Sequence, residues 1–391
     1  MFRFKNWKKN KAVSNENTSI IKPKVKIVAV AKDEAAYLPE WVHHHHYFGF
    51  DAIDVYVNRT EDNSIAMLNT LKKHVPCLSI HSADWVDTCP DEASNFMQFI
   101  IYAKAFETEK RLKNFDYIMF LDIDEFWTPQ NMIMSVQDCI ALNHDAQSIS
   151  FSWINEHGQN DDFQAIQLKT YGQLSPLVKS LVSIDADIER VALHLPKLSE
   201  GKACMVDGES FVSERENREC LHKDLLRLRP VMIIHRMFRS PMEYISLLSR
   251  GRPSDSLQLK LNRGGYNRAS GAHSNYSLDE AAFDTFNISL SKLLSQPEVE
   301  NCLRSAREFV EGRFEQTLAA ISEMPMEYYG ELFSVFKDCD KRVTENLVES
   351  IRNSPDLKQC NSVEKLVALA SVIQKYDVFL ARDILAMASE L

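Results

Sequence analysis

Apolar positions recur along this chain with two different periods, and the change of period divides it. "VKIVAVA" at 25–31 is a nearly unbroken β-branched run, the form of a strand buried on both faces. The turn "KDEAAYL" follows. Pro39 then sits where a helix can begin, and residues 40–48 can run helically to Gly49, the favoured residue just past a helix end. "IDVYVN" at 53–58 predicts a second strand. A helix from about 64 to 74, a strand "CLSIHS", a long helix within 91–113 and a strand "YIMFLD" at 117–122 continue the alternation. Such alternation predicts a parallel sheet with right-handed crossovers over about 25–155, an α/β arrangement whose ligands gather at the carboxyl ends of the strands. Past Phe151 the strand-like "ISFSWI", "LVKSLVSI" and "PVMIIHR" are separated by polar loops. From 278 onward, segments such as "VENCLRSAREFVEGRFEQTLAAI" place apolar residues three and four apart, which predicts amphipathic helices. The expected organisation is a tail over 1–24, an α/β domain over 25–277 in two halves (25–130 and 131–277), and a helical region over 278–391.

Composition narrows the class. A chain of 391 residues is longer than one core usually sustains, and 45% hydrophobic with 26% charged residues is an ordinary folded balance. Charge is uneven. Residues 1–26 hold eight Lys/Arg against Glu16, or +7, so within a total of −10 the rest carries −17. A body of that sign repels nucleic acid, which is therefore not an expected partner. The basic start also carries Phe2, Phe4 and Trp7, a mix suited to anionic lipid headgroups, so peripheral membrane contact through residues 1–22 competes with a solvated tail. No apolar stretch reaches the ~18 residues that span a bilayer, and the start lacks the apolar segment of a signal peptide. The expected location is cytoplasmic, with the inner face of the membrane as the surface the tail would touch. Eight scattered cysteines without a CxxC pair indicate neither a disulfide framework nor a zinc ribbon.

The chemistry concentrates in "YIMFLDIDEFW". A hydrophobic strand ends directly in Asp122, Ile123, Asp124 and Glu125, so two carboxylates one residue apart project to one side where the strand runs out. Like charges at a sheet edge need a cation or donors beside them, and a hard divalent ion bridging to a phosphate would serve. An acid-x-acid triple is weak alone, since on the order of eight arise by chance at this composition. Asp185-Ala186-Asp187 is one, but it lies in a polar stretch rather than after a buried-type strand. "WVHHHHYFGF" invites a second metal site. On a helix over 40–48, however, His43 to His46 point in four directions and only His43 and His46 share a face.

"VAVAKDEAAYLPEWVHHHHYFGFDAIDVYVNRTEDNS" followed by "YIMFLDIDEFW" resembles the GT-A glycosyltransferases of the family 2-like and family 92-like group. The matching residues are Lys32, Asp33, Glu34, Tyr37, Leu38, Glu40, Trp41, His45, Gly49, Tyr56, Asn58, Asp62, Ser64, Asp122, Asp124, Glu125 and Phe126. Of the four histidines the pattern needs His45 alone. The resemblance implies a Rossmann-like, mostly parallel sheet flanked by helices, followed here by an α-helical C-terminal region without a counterpart. It implies a nucleotide-sugar donor, UDP-sugar first, and a glycan or lipid-linked acceptor in cell-surface polysaccharide synthesis. Mn²⁺ or Mg²⁺ would be held by Asp122, Asp124 and, by position, His235. Asp33, Glu34 and Asp62 would bind the nucleotide, with turn or cap roles as the alternative for the two aspartates. Lys179, Arg236 and Arg250 are candidates for the diphosphate, against plain surface charge. Inverting transfer needs a base beside the acceptor hydroxyl. Glu156 is the preferred candidate, with Asp161 and Asp162 beside it. In "SWINEHG", Glu156-His157 replaces the group's usual Phe-Gly, which favours the competing expectation of a non-catalytic glycan- or nucleotide-binding module. A metal-dependent phosphohydrolase or nucleotidyltransferase could use Asp122 and Asp124 but leaves the earlier turn and helix unexplained.

Overall fold

The structure is a computed structural model that describes residues 22–90, 93, 95–158, 161–214, 218–250, 259–261, 263–268, 273–339 and 341–391. Residues 1–21 of the basic tail lie outside the described residues. The strands are β1 (Val25–Ala31), β2 (Ala52–Val57), β3 (Leu78–Ser82), β4 (Tyr117–Phe120), β5 (Glu125–Pro129), β6 (Ser148–Glu156), β7 (Lys169–Ser183), β8 (Ile188–Arg190), β9 (Lys197–Leu198), β10 (Ala203–Met205), β11 (Val231–His235) and β12 (His273–Ser277). Ten of them form one sheet in the order β3-β2-β1-β4-β7-β6-β11-β5, with β10 on β6 and β12 on β7.

The first half is parallel, as its alternation with helices demands: β2–β3, β1–β2 and β1–β4 all run one way. Further along, β6–β11 and β6–β10 are parallel, whereas β4–β7, β6–β7, β7–β12 and β5–β11 are antiparallel. The sheet is thus mixed with a parallel majority, and its antiparallel members come from the less regular stretch after Phe151 and from β5. Helices cover both faces. On one lie α1 (Leu38–Tyr47) and α2 (Ser64–Leu71), and on the other α3 (Met97–Leu112). Period-two alternation in β1 serves both: Val25, Ile27, Ala29 and Ala31 enter the main core, while Val28 enters a second layer with Ile101, Tyr102 and Phe106.

Helices α4 (Val136–Leu142) and α5 (Pro241–Ser246) each begin with a capping box, Ser135–Asp138 and Ser240–Glu243. The C-terminal region is helical: α6 (Glu280–Leu294), α7 (Pro297–Ser322), α8 (Tyr329–Phe336), α9 (Lys341–Asn353), α10 (Pro355–Lys358), α11 (Val363–Ile373) and α12 (Val378–Glu390). Core boundaries do not follow the change of period at 278. Phe283 and Phe286 of α6 and Val299, Leu303 and Ala306 of α7 complete the core of the sheet. The second half of α7, through Val310, Phe314, Leu318 and Ile321, joins α5 and the later helices in a separate core. α7 is therefore one rod shared by two cores. Among the described residues no helix is long and apolar enough to cross a membrane.

Candidate functional site

The carboxyl ends of β1, β2 and β4 open on a cleft of about 630 Å³ that is lined by Asp122 and Asp124. A larger groove of about 930 Å³ lies among the C-terminal helices, with acids and bases in equal number and no convergent carboxylates.

The acidic loop between β4 and β5 is held from below. Trp41 of α1 is fully buried, and its Nε1–H donates to the backbone oxygens of Asp122 (3.0 Å) and Glu125 (2.9 Å). His45, one helical turn on, ties α1 to β5: its Nδ1 donates to the Trp41 carbonyl (2.9 Å) and its Nε2 accepts from the Trp127 amide (3.3 Å). A carbonyl on one nitrogen and an N–H on the other fix a single neutral tautomer. Burial pushes His45 down to about 3. His44 is also buried, on the Trp127 carbonyl (3.0 Å), and His43 packs on Phe286. His43 to His45 are packing, with His45 as the member that fixes the loop, and His46 lies on the helix surface.

Inside the loop, Glu125 Oε2 accepts the Asp122 amide (2.9 Å) and the Lys179 ammonium (2.9 Å), which also reaches Asp122 Oδ2 at 3.4 Å. Burial pushes Glu125 up to about 7 against the pull of Lys179. For Lys179 burial acts to lower the pKa, but Asp122 and Glu125 outweigh it and keep the ammonium charged. Asp122 also accepts from Gln98 in the first turn of α3. Asp124 Oδ2 instead faces His235 Nε2 at 3.7 Å, while His235 Nδ1 contacts Asn155 Oδ1 at 2.8 Å. Burial would raise the Asp124 carboxyl, yet His235, with Arg239 and Arg250, holds it below its ordinary value.

Among the described residues no three His, Cys, Asp or Glu side chains form a ready-made metal set. The Asp124–His235 pair nonetheless fits a hard divalent ion. Its 3.7 Å gap is too long for a hydrogen bond and exceeds by less than about 1 Å the roughly 3.0 Å between adjacent ligands of an octahedral ion, so a small inward shift of the two side chains would let them share one. The Asn155 amide oxygen on Nδ1 leaves Nε2 as the ligating nitrogen.

The structure sorts the other candidates. Asp33 is buried, and its Oδ1 accepts from Thr60 Oγ1 and the amides of Glu61 and Asp62. Asp62 accepts from Thr60 Oγ1 and from the amides of Ala35 and Ser64. Both join the loop after β1 to the loop after β2, the turn role rather than the exposed one. Glu34 lines the cleft and pairs with Arg250 and with Arg239 Nη2 (3.1 Å). Arg250 lines the cleft, as do Lys32, Asn58 and Arg59. Two of the diphosphate candidates do not: Lys179 is 1% exposed, and Arg236 is buried on Glu156 (2.8 Å) and Glu40 (3.3 Å). Glu156 is itself 1% exposed and absent from the cleft lining, so the geometry makes it the counter-ion of Arg236 rather than a base open to an acceptor. Asp185 lies on the surface, paired with Lys113 at 2.8 Å. Gln98, Asn155 and Arg239 were missed, because each acts through a partner distant in sequence. Glu125 stood in the quoted motif but was read only as a match.

The Rossmann-like sheet thus carries an acidic loop at the end of β4, faced by a histidine from β11 and walled by cations. Residues 25–202 match the family model "Glycosyltransferase family 92", which bears out the likeness to that group, and the chain thus carries a glycosyltransferase domain. No curated protein matches the chain. Among solved structures, the "WbbM bifunctional glycosytransferase apo structure" is similar at 16% identity over 37% of this chain and 25% of that one, with a TM-score of 0.22 that carries no weight for the fold.

Proposed function

We propose that the chain moves a sugar from a nucleotide-sugar donor, UDP-sugar first, to a glycan or lipid-linked acceptor, with inversion, in cell-surface polysaccharide synthesis on the cytoplasmic side. The observation that carries the metal-dependent form is the Asp124–His235 pair opening on the cleft beside Arg250. A divalent ion, Mn²⁺ or Mg²⁺, would be held by Asp124 and His235 with Asp122 beside them, and it would supply Lewis-acid stabilisation of the departing diphosphate. The chain's own cations act in the same direction. Lys32, Arg59 and Arg250 on the cleft wall place positive charge where the diphosphate would lie, in a fixed geometry that needs little reorganisation. Asp122 already accepts from Gln98 and lies near Lys179, which suits it to a ribose hydroxyl or a single metal contact. Glu156 would have to leave Arg236 to act as base, so its part in this proposal is to hold that arginine.

A thermal-shift and calorimetric screen of UDP-, GDP- and CMP-sugars with and without Mn²⁺ tests this, since a ligand of the folded state raises apparent stability. The expected result is a Mn²⁺-dependent shift for one nucleotide, lost in Asp124→Asn while the ligand-free melting temperature stays within a few degrees. Equal donor binding by the wild type and Asp124→Asn would overturn the metal-dependent reading.

A further inference from the structure

The helical region after 278 reaches the donor side of the cleft through α7, where Asn63 Nδ2 donates to the Cys302 carbonyl (2.8 Å) and Arg313 meets Asp33. Arg313 of α7 is buried among groups that carry the cleft wall. Its Nη1 lies 3.4 Å from Asp33 Oδ2, in the turn that follows β1. Its Nε donates to Ser246 Oγ at 2.9 Å, at the end of α5. Those two segments supply opposite parts of one wall. The turn presents Lys32 and Glu34, and the chain after α5 presents Arg250. They are also cross-linked, Lys32 Nζ to the Arg250 carbonyl (3.2 Å) and Arg250 Nη1 to the Lys32 carbonyl (3.4 Å). Around Arg313 the same helix makes two more bonds to the α5 side: Ser246 Oγ donates to the Val310 carbonyl (3.1 Å), and Thr317 Oγ1 meets Ser249 Oγ at 2.6 Å.

Asp33 is the pivot. It is a non-glycine residue at φ 51°, in the left-handed region that aspartate tolerates better than most side chains. Its Oδ1 gathers the 60–62 loop, so Oδ2 is the oxygen left for an outside cation, and Arg313 supplies it. A planar, permanently charged fork that bonds at two angles is the group suited to hold an aspartate and a serine on separate elements at once, and a lysine is not its equal. Resting on the donor reading above, we propose that Arg313 is a positioning residue: from the C-terminal helical region it fixes the Asp33 turn against α5, so that Lys32, Glu34 and Arg250 meet a nucleoside diphosphate in one preset arrangement. The helical region is on this view part of the transferase unit.

The test uses the full chain with Arg313→Met, Arg313→Lys and, as a control on the same helix, Arg304→Met, whose guanidinium donates to the nearby Asn301. Two quantities are read: amide exchange at residues 33–35 and 61–64, and the affinity for UDP with Mn²⁺. Outer residues that orient a binding group typically shift affinity by about 10–100-fold. Arg313→Met should therefore weaken UDP at least about tenfold and speed exchange in those two loops, with strands β1 and β2 unchanged. Arg313→Lys should recover part of both effects, and Arg304→Met should change neither. Loop exchange and UDP affinity unchanged in Arg313→Met would overturn the proposal, as would a lowered melting temperature with wild-type affinity, which marks a purely structural arginine. Wild-type protein that binds no nucleoside diphosphate would sink the donor reading and overturn the functional half of this one. Exchange in the two loops would then still decide whether Arg313 holds them.

Discussion

His43→Leu should stabilise the protein, and more so in acid. The His43 ring is 8% exposed, wedged 5.5 Å from Phe286 and 6.0 Å from Tyr47 between centroids, and its Nε2 is buried with no partner among the described residues. A buried, unsatisfied polar atom costs about 1–3 kcal/mol, so an apolar side chain of similar size should gain roughly 1 kcal/mol near pH 7. The acid effect follows from linkage. Burial, with His46 adding to it, pushes His43 down to about 4 from 6.5. Between those values the unfolded chain binds a proton that the folded chain refuses, so wild-type stability falls as pH drops through this window. At about 1.36 kcal/mol per pH unit, going from pH 6.5 to 5.0 removes about 2 kcal/mol from the wild type and nothing from His43→Leu. Groups not coupled to His43 are common to both proteins and cancel in the difference, which leaves only the smaller contributions of His44 and His46. Urea unfolding followed by tryptophan emission at pH 7.0 and 5.0 should show the gap between the variants widening by about 2 kcal/mol. A gap that stays constant within about 0.5 kcal/mol would refute the buried, neutral histidine on which the reasoning depends.

Lys179→Met should cost about 3–5 kcal/mol, because it strands Glu125 and Asp122 without their buried counter-charge, and chemical denaturation would measure it. A loss below about 1 kcal/mol would mean that the ammonium contributes little to holding the loop. Trp41→Phe keeps a ring in the core but removes the one N–H shared by the Asp122 and Glu125 carbonyls. It should cost about 1–2 kcal/mol and weaken Mn²⁺-dependent donor binding about tenfold, read by thermal melting and calorimetry. Wild-type affinity in this variant would show that the loop holds its shape without the tryptophan.

Strands and the acidic loop were legible because their signals are local. "VKIVAVA" announces β1, six of whose seven side chains are fully or nearly buried, and both carboxylates follow β4 and line the cleft, although they lie in a turn where strand alternation no longer applies. β5 was not legible. "EFWTP" opens with a buried glutamate, and nothing within the strand shows that Lys179, far along the chain, will meet it. The same limit governs Glu156. Its counter-ion Arg236 is separated from it by 80 residues, and only the pairing of β6 with β11, which sets His235 beside Asn155, makes the two adjacent. For Asp33 and Asp62 the location after β1 and β2 was right, but a sequence states that an acid lies in a loop and not which way it faces. Both turn inward to collect N–H groups. The change of period at 278 reported a change of secondary structure correctly, yet said nothing of which core the new helices would enter.

The charges around the cleft, taken pair by pair, set one acid apart from the rest. Glu34 has Arg239 and Arg250, Asp33 has Arg313, and Glu40 and Glu156 share Arg236. Asp122 and Glu125 share Lys179. Each of these acids meets a positive charge within ion-pair distance, although burial outweighs it for Glu40 and Glu125, whose carboxyls stay above their ordinary values. Asp124 differs: among the described residues its one ion-pair partner is His235, a group that is cationic only when protonated and that stands at 3.7 Å. Held below its ordinary value by His235, Arg239 and Arg250, the Asp124 carboxyl stays ionised where it lines the cleft, which is the state the proposed divalent ion would need. The two aspartates of the motif are therefore unequal in this fold. Asp122 belongs to the framework as much as to the cleft, and Asp124 is the residue that the surrounding pairs leave available for a ligand.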